Sequence, residues 1–92
     1  MLRSFRSKAL KRFAESGDSS KLAVRNVQRV EIILRRLDAA RTPEHMNLPG
    51  LFFHALKGQE KGRFSVRVTG NFRMTFGWDE KDAIEVDLED YH

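Results

Sequence analysis

The sequence predicts an α+β domain in which two helices precede an antiparallel meander of about four strands. Three observations predict it. Apolar residues recur every three or four positions through residues 7–41. After Asn47-Leu48-Pro49-Gly50 the period changes to two. Turn-forming clusters at Gly70-Asn71 and Asp79-Glu80-Lys81-Asp82 then divide the alternating residues into segments of strand length.

Leu2, Ser4 and Phe5 suit a short N-terminal strand. From about Ser7 to Glu15, Ala9, Leu10 and Phe13 fall at helical spacing, and Ser16-Gly17-Asp18 closes the segment. Ser19 or Ser20 is placed to cap a second helix over about Lys21–Arg41, which Thr42-Pro43 ends. Its stripe is Ala23, Val27, Val30, Leu34 and Leu37, while Arg25, Arg29, Arg35, Arg36 and Asp38 fall largely off it. Leu51–Leu56 is a candidate strand. Phe64, Val66 and Val68 alternate with Ser65, Arg67 and Thr69. Phe72, Met74, Phe76 and Trp78 alternate with Arg73, Thr75 and Gly77. Ile84, Val86 and Leu88 complete the meander against Glu85, Asp87 and Glu89. Phe64, Val66, Phe72, Met74, Phe76, Val86 and Leu88 then share the face that the helices cover. The other face is expected to be uncovered and to carry Arg67 and Arg73 on neighbouring strands.

Ninety-two residues suffice for one domain, taken as 1–92, with one modest core. The absence of cysteine excludes a disulfide frame and a thiolate zinc site. The start, MLRSFRSK, has no apolar run behind it, so no signal peptide is expected. No stretch approaches the roughly 20 apolar residues of a membrane span. A cytoplasmic protein without a membrane partner is the expectation. The net charge of +4 and pI near 9.9 conceal an asymmetry. Residues 1–46 carry 11 Lys and Arg against 5 Asp and Glu, and residues 47–92 carry 6 against 8. An excess of arginine points to a polyanionic partner, with nucleic acid the first candidate.

The sequence contains no glycine-rich phosphate loop, no His-Glu-x-x-His pair and no carboxylate cluster with metal-ligand spacing. No metal and no cofactor is therefore expected. What the residues offer is a phosphate-directed inventory of arginines, Lys57, His54 in "FFHALKG", and the final "EDYH". Lys57-Gly58, Arg67, the run Gly70-Asn71-Phe72-Arg73, and Asp90-Tyr91-His92 form an ordered set along the chain. In that set the sequence resembles the HigB branch of the RelE-like toxins, small ribosome-dependent endoribonucleases of type II toxin–antitoxin pairs. The resemblance runs from "RSF" near the start to the last residue. Family members often have Trp where this chain has Phe64 and Phe72, a difference in packing or stacking.

The resemblance implies a RelE-like microbial ribonuclease fold, an mRNA substrate on the ribosome, and inhibition of translation and growth. It also implies a helix-turn-helix antitoxin of the HigA kind, with oligomerisation through that antitoxin. Without a metal, RNA is cut when the 2′-OH attacks the neighbouring phosphorus. This needs a base, cations for the developing phosphoryl charge, and an acid for the departing 5′-oxygen. Arg73, Arg67 and Lys57 supply the cations. His92 and His54 are the proton carriers, since a histidine has an unperturbed pKa of about 6.5. Tyr91 and Asp90 orient the nucleotide, position His92 or share in proton transfer. Asn71 reads a base edge or holds the backbone, Phe72 supports it, and Arg25 and Arg29 on the second helix hold the polyanion. Two other readings fit the same residues: a non-catalytic RNA- or ribosome-binding module, and a degenerate paralogue that only binds an antitoxin.

Overall fold

The computed structural model describes residues 1–90. Helix α1 spans Lys8–Ser16. Its start is fixed by Ser7, whose hydroxyl accepts from the Leu10 amide at 3.1 Å. Gly17 ends it in the left-handed conformation (φ 78°) and donates its amide to the Phe13 carbonyl at 2.9 Å. Both ends agree with the sequence reading.

Helix α2 is shorter than expected and spans Val27–Ala39. Neither Ser19 nor Ser20 caps it. Asn26 does, accepting from the Arg29 amide at 3.2 Å. Residues 21–25 lie outside the helix, with Val24 buried in the core and Ala23 exposed. A helical continuation through Val24 would carry it off the buried face. Within α2, Val30, Ile33, Leu34 and Leu37 are buried. A 3₁₀ turn over Pro43–Met46 follows and buries Met46 completely.

Strands β1 (His54–Ala55), β2 (Arg63–Arg67), β3 (Phe72–Asp79) and β4 (Asp82–Asp90) form an antiparallel sheet in chain order. The α+β architecture is thus the expected one. β1 is only two residues long, although Leu51–Leu56 reads as strand. The cause is Phe52, which adopts φ 51° and breaks the extended run. The chain on either side still follows β2, because Arg67 donates its amide to the Leu51 carbonyl at 2.7 Å and Leu56 donates to Arg63 at 2.9 Å.

Between Thr75 and Gly77 the β3–β4 register shifts, so that Phe76 alone opposes Glu85 and Val86. Glu85 takes φ 50° at this bulge. The N-terminal segment runs along the outer side of β4 as two isolated parallel bridges, Leu2 to Ala83 and Phe5 to Val86, and not as a full strand. The core lies between the helices and one sheet face, where Leu10, Ile33 and Leu37 meet Val66, Met74, Phe76 and Val86. Phe53, Phe64, Phe76 and Trp78 form an aromatic ladder, with centroids 5.7, 5.9 and 6.2 Å apart. Among the described residues no helix is long and apolar enough to cross a membrane.

Candidate active site on the polar sheet face

Directly opposed residues of antiparallel strands point to the same side of a sheet. The register therefore defines the polar face as rows. The first row is Arg67, Arg73 and Glu89, and the second is His54, Ser65, Thr75 and Asp87. Arg63 lies beyond them, opposite Gly77. The expected pairing of Arg67 with Arg73 is present, but the face between them and Arg63 is not uncovered. Ser65 and Thr75 are 1% and 0% exposed, and Arg63 is 9% exposed. Short hydroxyls form the base of the face, and longer side chains bonded to them close over it.

These bonds make a connected network. Arg63 donates from Nη2 to the Thr75 hydroxyl at 3.0 Å and to the Glu85 carbonyl, at the bulge, at 2.9 Å. Thr75 donates onward to Glu89 Oε2, and Arg73 Nη2 donates to Glu89 Oε1 at 3.3 Å. Burial pushes the Glu89 carboxyl up, but the Thr75 and Arg73 hydrogen bonds, with the charges of Arg73 and Arg63, hold it below its ordinary value. Burial, aided by the charge of Arg6, lowers the Arg63 guanidinium, opposed by Glu60, Glu89 and Asp87. It stays cationic, because a guanidinium is not deprotonated in proteins.

On the edge strand His54 is held at both ring nitrogens. Nδ1–H donates to the Phe52 carbonyl at 3.0 Å, which leaves Nε2 to accept from the Ser65 hydroxyl at 3.2 Å in the neutral ring. The imidazole is exposed and has a fixed orientation. Lys57 is exposed just past β1 at the start of the 3₁₀ turn Gly58–Glu60. Arg67 is exposed, and its guanidinium lies 4.4 Å from the centre of the Phe52 ring.

The other singled-out residues are placed differently. Asn71 is exposed in the turn between β2 and β3. Phe72 is half-buried on the core side of the sheet, packed against the apolar cluster and turned away from Arg73. Asp90 is exposed and pairs with Phe72, so the register places it on the core-side row at the end of β4. Tyr91 and His92 lie outside the described residues.

Arg25, expected on α2, precedes the helix and is exposed. Arg29 is on α2, but its guanidinium faces inward. Nε donates to the Val68 carbonyl, and Nη2 donates to Gly50 and Arg67 carbonyls at 3.1 and 3.3 Å. Its visible work is to tie the helix to the end of β2 and to the Pro49-Gly50 loop.

The sequence reading singled out neither Glu89, Thr75, Ser65 nor Arg63. Strand alternation was the available signal for all four, since each shares the parity of the arginine on its strand or of the residue paired with it. Nothing in the sequence marked Arg63 as a residue folded back over the sheet.

A two-helix, four-strand antiparallel domain of this topology is the fold of the RelE-like toxins. A structure of a variant of the toxin YafQ from E. coli matches with a TM-score of 0.56 and 12% identity, covering 97% of this chain and 94% of that one. A copper-bound variant toxin from Helicobacter pylori matches with a TM-score of 0.54 and 17% identity, covering 98% and 94%. Within that class the chain belongs to the HigB-like toxins, RelE-like toxins of type II toxin–antitoxin systems, whose family model matches residues 3–92. It is 35% identical over 92 residues, and over the whole of both chains, to a Proteus vulgaris protein named Endoribonuclease HigB. A type II toxin has a cognate antitoxin as its partner.

Proposed function

We propose that this chain is a ribosome-dependent, metal-independent mRNA endoribonuclease. It acts in the cytoplasm as a single toxin domain, and a helix-turn-helix antitoxin of the HigA kind restrains it. The observation that carries the reading is the row Arg67–Arg73–Glu89. Two arginines face each other across β2 and β3, an arrangement that is unfavourable on its own and that a phosphate between them would relieve. The name of the Proteus vulgaris relative supports the same chemistry.

In the reaction, the 2′-OH loses its proton and attacks the adjacent phosphorus, and the 5′-oxygen leaves with a proton supplied to it. Arg73, held by Glu89 with Thr75 and Arg63 behind it, is preorganised beside the developing phosphoryl charge, so little reorganisation accompanies the step. Arg67 and Lys57 add charge from the neighbouring strand and the edge. His54, oriented by Phe52 and Ser65, exchanges one proton. His92, with Tyr91 and Asp90, is the second proton carrier. Asn71 at the β2–β3 turn contacts the nucleotide, and Phe72 supports that turn from the core side. A chain of this size has little surface with which to hold RNA in line, and the ribosome supplies the positioning.

The test is incubation with translating ribosomes and a defined mRNA, followed by mapping of the ends. Ribosome-dependent cuts that persist in a chelator concentration sparing the ribosomes are the expected result. Equal cutting of free mRNA would remove the ribosome from the mechanism. Tight ribosome binding without cuts would make the protein a binding module.

A further inference from the structure

Three large apolar side chains are exposed among the described residues: Met1, Ile32 and Phe52. Of these only Phe52 is aromatic, at 61% exposure. Its neighbours in the chain go inward, Leu51 being buried and Phe53 stacking on Phe64. Phe52 points outward at φ 51°, a conformation that a bulky side chain rarely takes. Local departures of this kind next to a functional site re-aim a side chain. Here it brings the ring beneath the Arg67 guanidinium, while the Phe52 carbonyl receives Nδ1–H of His54. One residue thus touches both a phosphate-directed cation and a proton carrier.

An exposed ring beside an arginine plane is the arrangement on which unpaired bases stack, because every base has a π-face. We propose that Phe52 is a stacking platform for one unpaired base of the RNA substrate, next to the phosphate held by Arg67 and Arg73. The base extends the Arg67–Phe52 stack, so the cut is placed relative to that base. The platform rests on the endoribonuclease reading above, and the two fail in different experiments.

The test uses the whole protein and programmed ribosomes. In the first arm the mRNA carries 2′-O-methyl groups across the target codon, to block cutting, and 2-aminopurine at each codon position in turn. The wild type should quench one position, Phe52→Leu should lose that quenching, and Phe52→Tyr should keep it. In the second arm single-turnover cutting of ordinary mRNA is followed against protein concentration. Phe52→Leu should raise the half-saturating concentration about 5- to 100-fold, the range that base–aromatic stacking commands, with the maximal rate changed little. On mRNA made abasic at the quenched position, wild type and Phe52→Leu should become equal. Unchanged quenching in Phe52→Leu overturns the proposal. So does a penalty that persists on abasic mRNA, which would mean that Phe52 acts only through Arg67. Quenching without any cutting by the wild type would sink the endoribonuclease reading and leave the platform standing. Thermal melting gives the fold control: Phe52→Gly, which relieves the left-handed backbone, should melt no lower than wild type.

Discussion

Arg73 sits between a charge that opposes it and one that supports it. Arg67 faces it across the strand pair, and Glu89 binds it at 3.3 Å. Like charges directly opposed are destabilising, and the Glu89 carboxylate offsets part of that repulsion. Its role under our reading is in the transition state, and Arg73→Ala should lower the single-turnover rate on ribosomes far more than it lowers affinity. Equal losses in both would move Arg73 to substrate binding. Glu89 makes a separate prediction. A carboxyl whose folded pKa is depressed contributes stability above its unfolded pKa and loses it as pH falls through the folded value. Wild type should therefore lose thermal stability on acidification through and below the ordinary carboxylate range. Glu89→Gln should start lower at neutral pH and show less of that acid loss. Parallel melting curves for the two proteins would refute the coupling.

Helix α2 shows how an element boundary is set. Serines at 19 and 20 compete as caps with Asn26, and Asn26 prevails because Val24 is buried just before it. Asn26→Ala removes a side-chain acceptor from the first turn and should cost about 1 kcal/mol in chemical denaturation, whereas Ser19→Ala and Ser20→Ala should fall within about 0.5 kcal/mol of wild type. The two arginines once grouped with this helix also separate. Arg25 lies outside it and is exposed, while Arg29 serves three backbone carbonyls. Arg25→Glu should weaken ribosome association, with the loss fading as salt rises, and leave the melting point in place. Arg29→Glu should lower the melting point, since it removes the donors and places a carboxylate beside carbonyls.

For the molecule as a whole, the decisive question is whether chemistry and folding are carried by different residues. The strand that ends at Asp90 is held by Val86 in the core and by the N-terminal bridges at Ala83 and Val86. Deleting His92 touches none of these contacts. We expect the deletion variant to fold, melt and bind ribosomes like wild type while losing most cutting, and His92→Gln to behave almost alike. General acid–base groups contribute roughly 10²- to 10⁴-fold in rate, so the loss should be plain in a growth assay and in vitro. Wild-type cutting by the deletion variant would make His54 the principal proton carrier.

Local chemistry in the sequence determined much of this protein. Ser7 and Gly17 bracket α1, Gly70-Asn71 turns β2 into β3, and strict alternation places Arg67 and Arg73 on the face away from Val66 and Met74. Such features depend on a few neighbouring residues and on a period, so they are legible in one dimension. Only the tertiary structure decided the rest. The start of α2 depended on which of Ala23 and Val24 finds the core, and the N-terminal segment became two bridges because β4 offered it an edge. Phe72 keeps the core-side place that alternation predicts, but Asp90, expected to work beside Tyr91 and His92, is set by register on that same core-side row. The Arg63–Thr75–Glu89–Arg73 network joins three strands through a bulge that no alternation pattern reveals, and the positive φ of Phe52 breaks a run that reads as strand. Contacts between residues distant in the chain decide such features, and their energies are set by burial and register, which the sequence encodes only through the completed fold.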